Sequence, residues 1–176
     1  MISQTPEYES YDVVIVGGAI MGSSTAWFLT EDASFDGRVL VVERDMTYET
    51  ASTTHTNSCI RQQFSTELNV RISQFAADFI KNLRSYMGGD ARVPNLSIQS
   101  YGYLYLADTE GFADVLRENQ KVQLAAGAAT RLMTADEIKA AYPFYNVDGI
   151  VLGSINTVDE GFWDGSTVFD WWKRQA

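Results

Sequence analysis

In 176 residues there is one cysteine, Cys59, and one histidine, His55. An internal disulfide is therefore excluded, a reducing compartment such as the cytoplasm is the natural expectation, and no metal site is expected. Positive charge is scarce: 13 Lys and Arg stand against 23 Asp and Glu, a formal net charge of −10. A surface of that sign repels phosphate, which argues against nucleic acid and against anionic lipid as partners. The opening stretch holds Glu7 and Glu9 but no Lys or Arg, so neither a secretory signal nor an Arg-rich transit peptide is read there. No apolar run is long enough to span a bilayer. The hydrophobic content of 45% is that of an ordinary globular protein, and the length suffices to bury a core.

Against that background one arrangement stands out. Tyr11-Asp12-Val13-Val14-Ile15-Val16 is a β-branched run that enters Gly17-Gly18-Ala19-Ile20-Met21-Gly22, and Val39-Leu40-Val41-Val42 ends in Glu43. Strand, glycine turn, helix, strand and acid is the pattern that grips the ADP half of a dinucleotide. Gly17 is expected to turn the chain where a Cβ would clash, and Gly22 to let the helix pack on the strand. The helix N-terminus offers free N–H groups to the phosphates, with Ser23 and Ser24 as added hydroxyl donors. Glu43 lies at the spacing that lets a carboxylate accept from the adenosine ribose. A strict fingerprint has glycine where this chain has Ala19.

The remaining elements follow from periodicity. Both Val13–Val16 and Val39–Val42 read as fully buried parallel strands, and the helix between them is expected to start after Gly22 and end near Asp36-Gly37. Residues 45–65 are a Thr/Ser-rich loop. Leu68, Ile72, Phe75, Phe79 and Leu83 share one face of a helix that Met87-Gly88-Gly89-Asp90 stops, and that face is expected to point inward. Ile98–Ala107 reads as a strand with Tyr101, Tyr103 and Tyr105 on one face. A helix is predicted over Glu110–Ala125 with Phe112, Val115, Leu116 and Val122 inward. Thr134-Ala135-Asp136-Glu137 is a capping box opening a helix that Pro143 ends. Ile150–Ser154 is another strand, and Asp164-Gly165-Ser166 opens a last helix with Val168, Phe169, Trp171 and Trp172.

The glycine turn, together with Val42-Glu43-Arg44-Asp45, Ala51-Ser52-Thr53, Ile60-Arg61-Gln62-Gln63-Phe64-Ser65, Gly102-Tyr103-Leu104 and Asp159-Glu160-Gly161, resembles the start of the D-amino-acid oxidase/sarcosine oxidase (DAO) family of flavoproteins. The resemblance implies an α/β chain: a Rossmann-like FAD-binding domain of the glutathione-reductase βαβ type, joined to the start of a mixed-sheet substrate domain. Members of the family are considerably longer, so the chain is read as truncated, with the remaining half or a partner chain needed. The implied layout is a disordered tail over 1–10, the FAD-binding region over 11–95, the substrate-domain segment over 96–160, and a return helix over 161–176.

The implied activity is FAD-dependent oxidation of the C–N bond of a small amine or amino acid to an imine, by hydride transfer to flavin. By resemblance, Gly17, Gly18, Ala19, Ile20, Met21 and Gly22 hold the pyrophosphate and Glu43 the ribose. Arg44 lies against the adenine, and Ser52 and Thr53 line the isoalloxazine side. Arg61 matches the arginine that binds the substrate carboxylate, for which a guanidinium fork is suited; a structural ion pair is the other reading. His55 falls where some relatives bond the flavin covalently; an ordinary polar loop residue is the alternative, and Asn57-Ser58-Cys59 departs from the glycine-containing run usual there. Cys59 reads as a small filler. A nicotinamide-dependent dehydrogenase uses the same turn and acid, and a non-catalytic nucleotide-binding fragment is the third possibility.

Overall fold

A computed structural model describes residues 5–175. The chain divides into two compact units, one built from residues up to Asn57 together with those from Asp164, the other from Ser58–Trp163. Of the expected tail, residues 1–4 lie outside the described residues. Further on, the Tyr8 ring meets Tyr11 edge-on at 5.9 Å and carries the Arg38 guanidinium 4.2 Å from its centroid.

The first unit is a βαβ crossover. Strand β1 (Val13–Val16) pairs in parallel with β2 (Val39–Val42), Val13 opposite Val39 and Val16 opposite Val42. Helix α1 (Ile20–Glu31) joins them and begins at Ile20, so Gly22 lies in its first turn rather than before it. It stops five residues short of the expected end because Asp32 accepts from both the N–H and the hydroxyl of Ser34, at 2.8 and 2.7 Å, turning the chain. The strands are not buried on both faces as their composition suggested: Val16 is 86% exposed and Val14 and Val42 are also open. Residues on the other face of β1 meet α1, where Ile15 lies against Gly22. The last helix, numbered α6 (Gly165–Gln175), packs on α1, with Phe28 edge-on to Trp172 at 6.1 Å and Tyr48 edge-on to Phe169 at 5.0 Å.

The second unit carries two small sheets. Strand β3 (Cys59–Ile60) pairs antiparallel with β7 (Gly161–Phe162), and Gln99 bridges to Phe162. Strand β4 (Tyr103–Ala107) pairs antiparallel with β6 (Leu152–Asn156), which also pairs antiparallel with β5 (Arg131–Met133). Strands β3, β5 and β7 were not anticipated; β4 starts later, and β6 sits further along the chain, than the hydrophobic runs suggested. One face of the three-stranded sheet is covered by α4 (Glu110–Ala125), through Ala107, Ala113, Leu116 and Leu152. The other is covered by α5 (Ala135–Ala141), through Met133, Ile138 and Ile155. The capping box is present, with Thr134 and Glu137 each bonding the other's backbone. On α4, Leu116 is buried as expected, but Phe112 and Val115 are exposed and Ala113 and Gln123 take the inner face.

Helix α2 (Glu67–Lys81) reverses its predicted face, and a single turn, α3 (Leu83–Tyr86), follows it. Leu68 is 69% and Phe75 59% exposed, Ile72 is open too, and only Phe79 and Leu83 of the predicted stripe are buried. The inner face is Val70, Ala77 and Ile80, and Gln74 donates to the Ala126 carbonyl at 3.0 Å. Val70 meets Ala126 and Ala128, so small side chains set a close helix approach that larger ones would block.

Candidate functional site

The glycine turn is built as a cradle. Gly17 sits at φ +100, a conformation that side-chain-bearing residues avoid, and a Cβ there would meet nothing within 4 Å. The backbone angle, not a clash, requires glycine at this position. Gly22 is the reverse case: a Cβ there would overlap the Gly17 carbonyl oxygen and lie 2.9 Å from its carbon. The close contact is therefore between α1 and the turn itself. Gly18 is also tight, with the Tyr48 hydroxyl 2.8 Å from where a Cβ would stand; nothing in the local sequence pattern pointed to Tyr48.

Two turn amides are engaged by the protein. Gly18 N–H donates to Glu43 Oε2 at 2.8 Å, and Ile20 N–H donates to Thr53 Oγ1 at 3.3 Å. Glu43 Oε1 accepts from Asp45 N–H at 2.9 Å. These backbone donors, Asp45 first and Gly18 next, hold the Glu43 carboxyl below its ordinary value, and burial with the Glu43 charge pushes the Tyr48 hydroxyl up. The amides of Ala19, Met21 and Gly22 have no acceptor among the described residues. They form the N-terminus of a twelve-residue helix whose cap, Ala19, supplies no side-chain acceptor. That end carries the positive pole of the helix, and the Glu43 carboxylate beside it meets Gly18 N–H rather than these three amides. Ser23 and Ser24 are not available to an anion: their hydroxyls donate to the carbonyls of Gly18 and Met21.

The structure thus gathers Gly17, Gly18, Ala19, Ile20, Gly22, Glu43 and Thr53 into one place. Met21 is 77% exposed, and Arg44, Ser52 and His55 are exposed without a bond to the turn; His55 N–H donates to the Ala51 carbonyl at 3.3 Å.

In the second unit, Arg61 follows β3. Its guanidinium lies 4.8 Å from the Phe64 ring centroid and 5.6 Å from that of Tyr103. Its Nε is buried with no hydrogen-bond partner, and it makes no ion pair with any described carboxylate. The structural ion pair considered for Arg61 is therefore not formed among the described residues. The neighbouring Gln62, Gln63 and Glu160 are buried and hydrogen-bonded together. Burial pushes the Glu160 carboxyl up, against the opposing pull of the Gln63, Gln62 and Asn156 donors and the Arg61 charge. Among the described residues no His, Cys, Asp or Glu cluster could hold a metal ion, and no helix is long and apolar enough to cross a membrane.

A family model described as DAO, FAD dependent oxidoreductase, matches residues 12–176. The chain belongs to the DAO family of FAD-dependent oxidoreductases. This DAO-family chain is 40% identical over 172 residues to FAD-dependent oxidoreductase domain-containing protein 1 of Xenopus laevis, covering 96% of this chain and 34% of that protein. The Bos taurus protein of the same description is 41% identical, covering 89% of this chain and 32% of its own length. The chain therefore spans about a third of these relatives. Among solved structures, L-proline dehydrogenase from P. horikoshii is similar with a TM-score of 0.75 and 25% identity, covering 95% of this chain and 41% of that one. Glycine oxidase from Bacillus cereus shares the fold with a TM-score of 0.68 at 18% identity, covering 94% of this chain and 43% of its own.

Three features of this structure are compatible with a diphosphate at the turn. Three amides at the helix end have no acceptor among the described residues, the close fit of Gly22 on the Gly17 carbonyl holds the helix end against the turn, and Glu43 bonds Gly18 rather than those three amides.

Proposed function

We propose that this chain supplies the nucleotide-gripping turn and part of the substrate region of an FAD-dependent amine or amino-acid oxidoreductase. The observation that carries the reading is the trio of amides at Ala19, Met21 and Gly22 without acceptors, set beside a carboxylate at the end of the next parallel strand. Those amides would receive the pyrophosphate oxygens. Gly17 and Gly18 shape the approach, and Ile20 is pinned by Thr53 so that the helix end stays fixed. Each Glu43 oxygen accepts one backbone amide and keeps a further lone pair, which would accept from a ribose hydroxyl. Arg44 and Ser52, exposed on the same unit, are assigned to the adenine and the ring side.

FAD, when bound, would supply the acceptor for a hydride equivalent from the carbon beside a substrate nitrogen, the oxidation of a C–N bond to an imine. Arg61 would bind the substrate carboxylate: its charge has no ion-pair partner among the described residues, and two aromatic rings fix its plane. His55 is assigned a non-covalent contact, since its surroundings depart from the covalent pattern.

Incubation with FAD followed by desalting tests this. A yellow protein absorbing near about 450 nm is expected, with the flavin released on denaturation. Failure to retain FAD would remove the reading, and flavin retained after denaturation would overturn the non-covalent role of His55.

A further inference from the structure

Glu160 is fully buried in the second unit, at 0% exposure. It lies in a turn between two residues of constrained backbone. Asp159, at φ +54, is held by Lys81 Nζ at 2.7 Å. Gly161 follows at φ +148, where a Cβ would overlap the Gln99 carbonyl oxygen. Inside, Glu160 Oε1 accepts from Gln62 N–H at 2.7 Å and from Asn156 Nδ2 at 2.9 Å, and Oε2 accepts from Gln63 Nε2 at 3.0 Å.

The Gln62 N–H belongs to the peptide bond that leaves Arg61, so Glu160 grips the backbone on which that arginine stands. Gln63 Nε2 also donates to the Tyr103 carbonyl at 2.7 Å, and its Oε1 accepts from Ser154 at 2.8 Å. The Tyr103 ring is one of the two that flank the guanidinium. A closed circuit results: Arg61 backbone, Glu160, Gln63, Tyr103, Arg61 side chain. We propose that Glu160 is the positioning residue for Arg61, fixing both its backbone and one aromatic wall so that the guanidinium meets a substrate carboxylate in a single orientation. This inference rests on the carboxylate-binding reading of Arg61 given above.

A carboxylate is suited to the task because it accepts from all three donors, whereas an amide would set an N–H against one of them. Its oxygens face those donors and form no ion pair with Arg61, so the cation remains open to another anion.

The test uses the complete, FAD-loaded protein and acetate as the carboxylate probe, with affinity read from broadening of the acetate methyl NMR signal. Glu160→Gln is expected to weaken acetate about tenfold with FAD affinity unchanged. Gln63→Met, which removes the bonds to Glu160, Tyr103 and Ser154 but leaves Glu160 on the Gln62 N–H, is expected to weaken it about threefold, and it serves should Glu160→Gln fail to fold. Tighter acetate binding in Glu160→Gln would make Glu160 a competing charge, and a lower melting temperature with unchanged acetate affinity would make it a plain structural stitch; either overturns the proposal. Arg61→Met separates the two readings. If it binds acetate like wild type, or wild type ignores acetate, the Arg61 reading falls and takes this one with it. If it alone loses acetate while both other variants keep it, only the positioning role falls.

Discussion

Gly22→Ala places a methyl carbon inside the Gly17 carbonyl oxygen, 2.9 Å from the carbonyl carbon and 3.2 Å from Ile15 Cγ2. Non-bonded carbons settle at about 3.5–4.0 Å, so the carbonyl carbon alone demands a retreat of about 0.6 to 1.1 Å. Neither neighbour is a flexible side-chain end, and Gly17 is further tied by its N–H to the Val42 carbonyl at 2.8 Å. Overpacking of this kind costs about 1–3 kcal/mol, and at about 2–4 °C per kcal/mol the melting temperature should fall by roughly 2 to 12 °C. The same retreat draws the helix-end amides away from a diphosphate. Losing one charge-assisted hydrogen bond, worth about 1.5–3 kcal/mol, should weaken FAD roughly ten- to a hundredfold. Gly111→Ala is the matched control. Gly111 lies in α4 with nothing within 4 Å of its would-be Cβ, and alanine there should stabilise by about 0.5–1 kcal/mol. Thermal melts and FAD titrations of both variants decide the matter. A Gly22→Ala protein that melts and binds FAD like wild type would refute the close-packed cradle.

Glu43→Gln should flatten the acid limb of stability. The carboxyl of Glu43 is held below its ordinary value of 4.5 by backbone donors, so its contribution is present above that value and is lost as pH falls through the lower folded one. Melting curves from about pH 6 to about pH 3 should show a shallower decline for the variant than for wild type. On α2, the reversed face predicts opposite outcomes for two changes: Ile72→Gln should stay within about 0.5 kcal/mol of wild type in urea unfolding, whereas Ala77→Leu should cost about 1–3 kcal/mol. Equal effects would restore the face read from the bulky residues.

The parts of the molecule written in local pattern were legible. The crossover from β1 to β2, the cradle glycines, α4 and the Thr134/Glu137 box each depend on residues close in sequence whose periodicity or capping chemistry is explicit. The face of α2 was misread because Leu68, Ile72 and Phe75 form a clean apolar stripe, while the inner face is Val70, Ala77 and Ile80, with Val70 packed on Ala126 and Gln74 bonded to its carbonyl. Strands β3 and β7 are two residues each, too short to show alternation. Thr53 was assigned to a ring-side role and is found bonded to Ile20, and Glu160 entered only within the Asp159-Glu160-Gly161 resemblance though it reaches across to Gln62. Contacts spanning tens of residues leave no local signature.

The segmentation of the chain imposes an order on its assembly. Residues 58–163 are contiguous, and their hydrophobic clusters close within that stretch. Helix α1 has to wait for α6, whose Trp172 meets Phe28 and is encoded after that stretch. During synthesis the inserted segment is thus free to fold while α1 still lacks its neighbour. The unit that holds the glycine turn is thus begun before the inserted segment and closed by α6 after it.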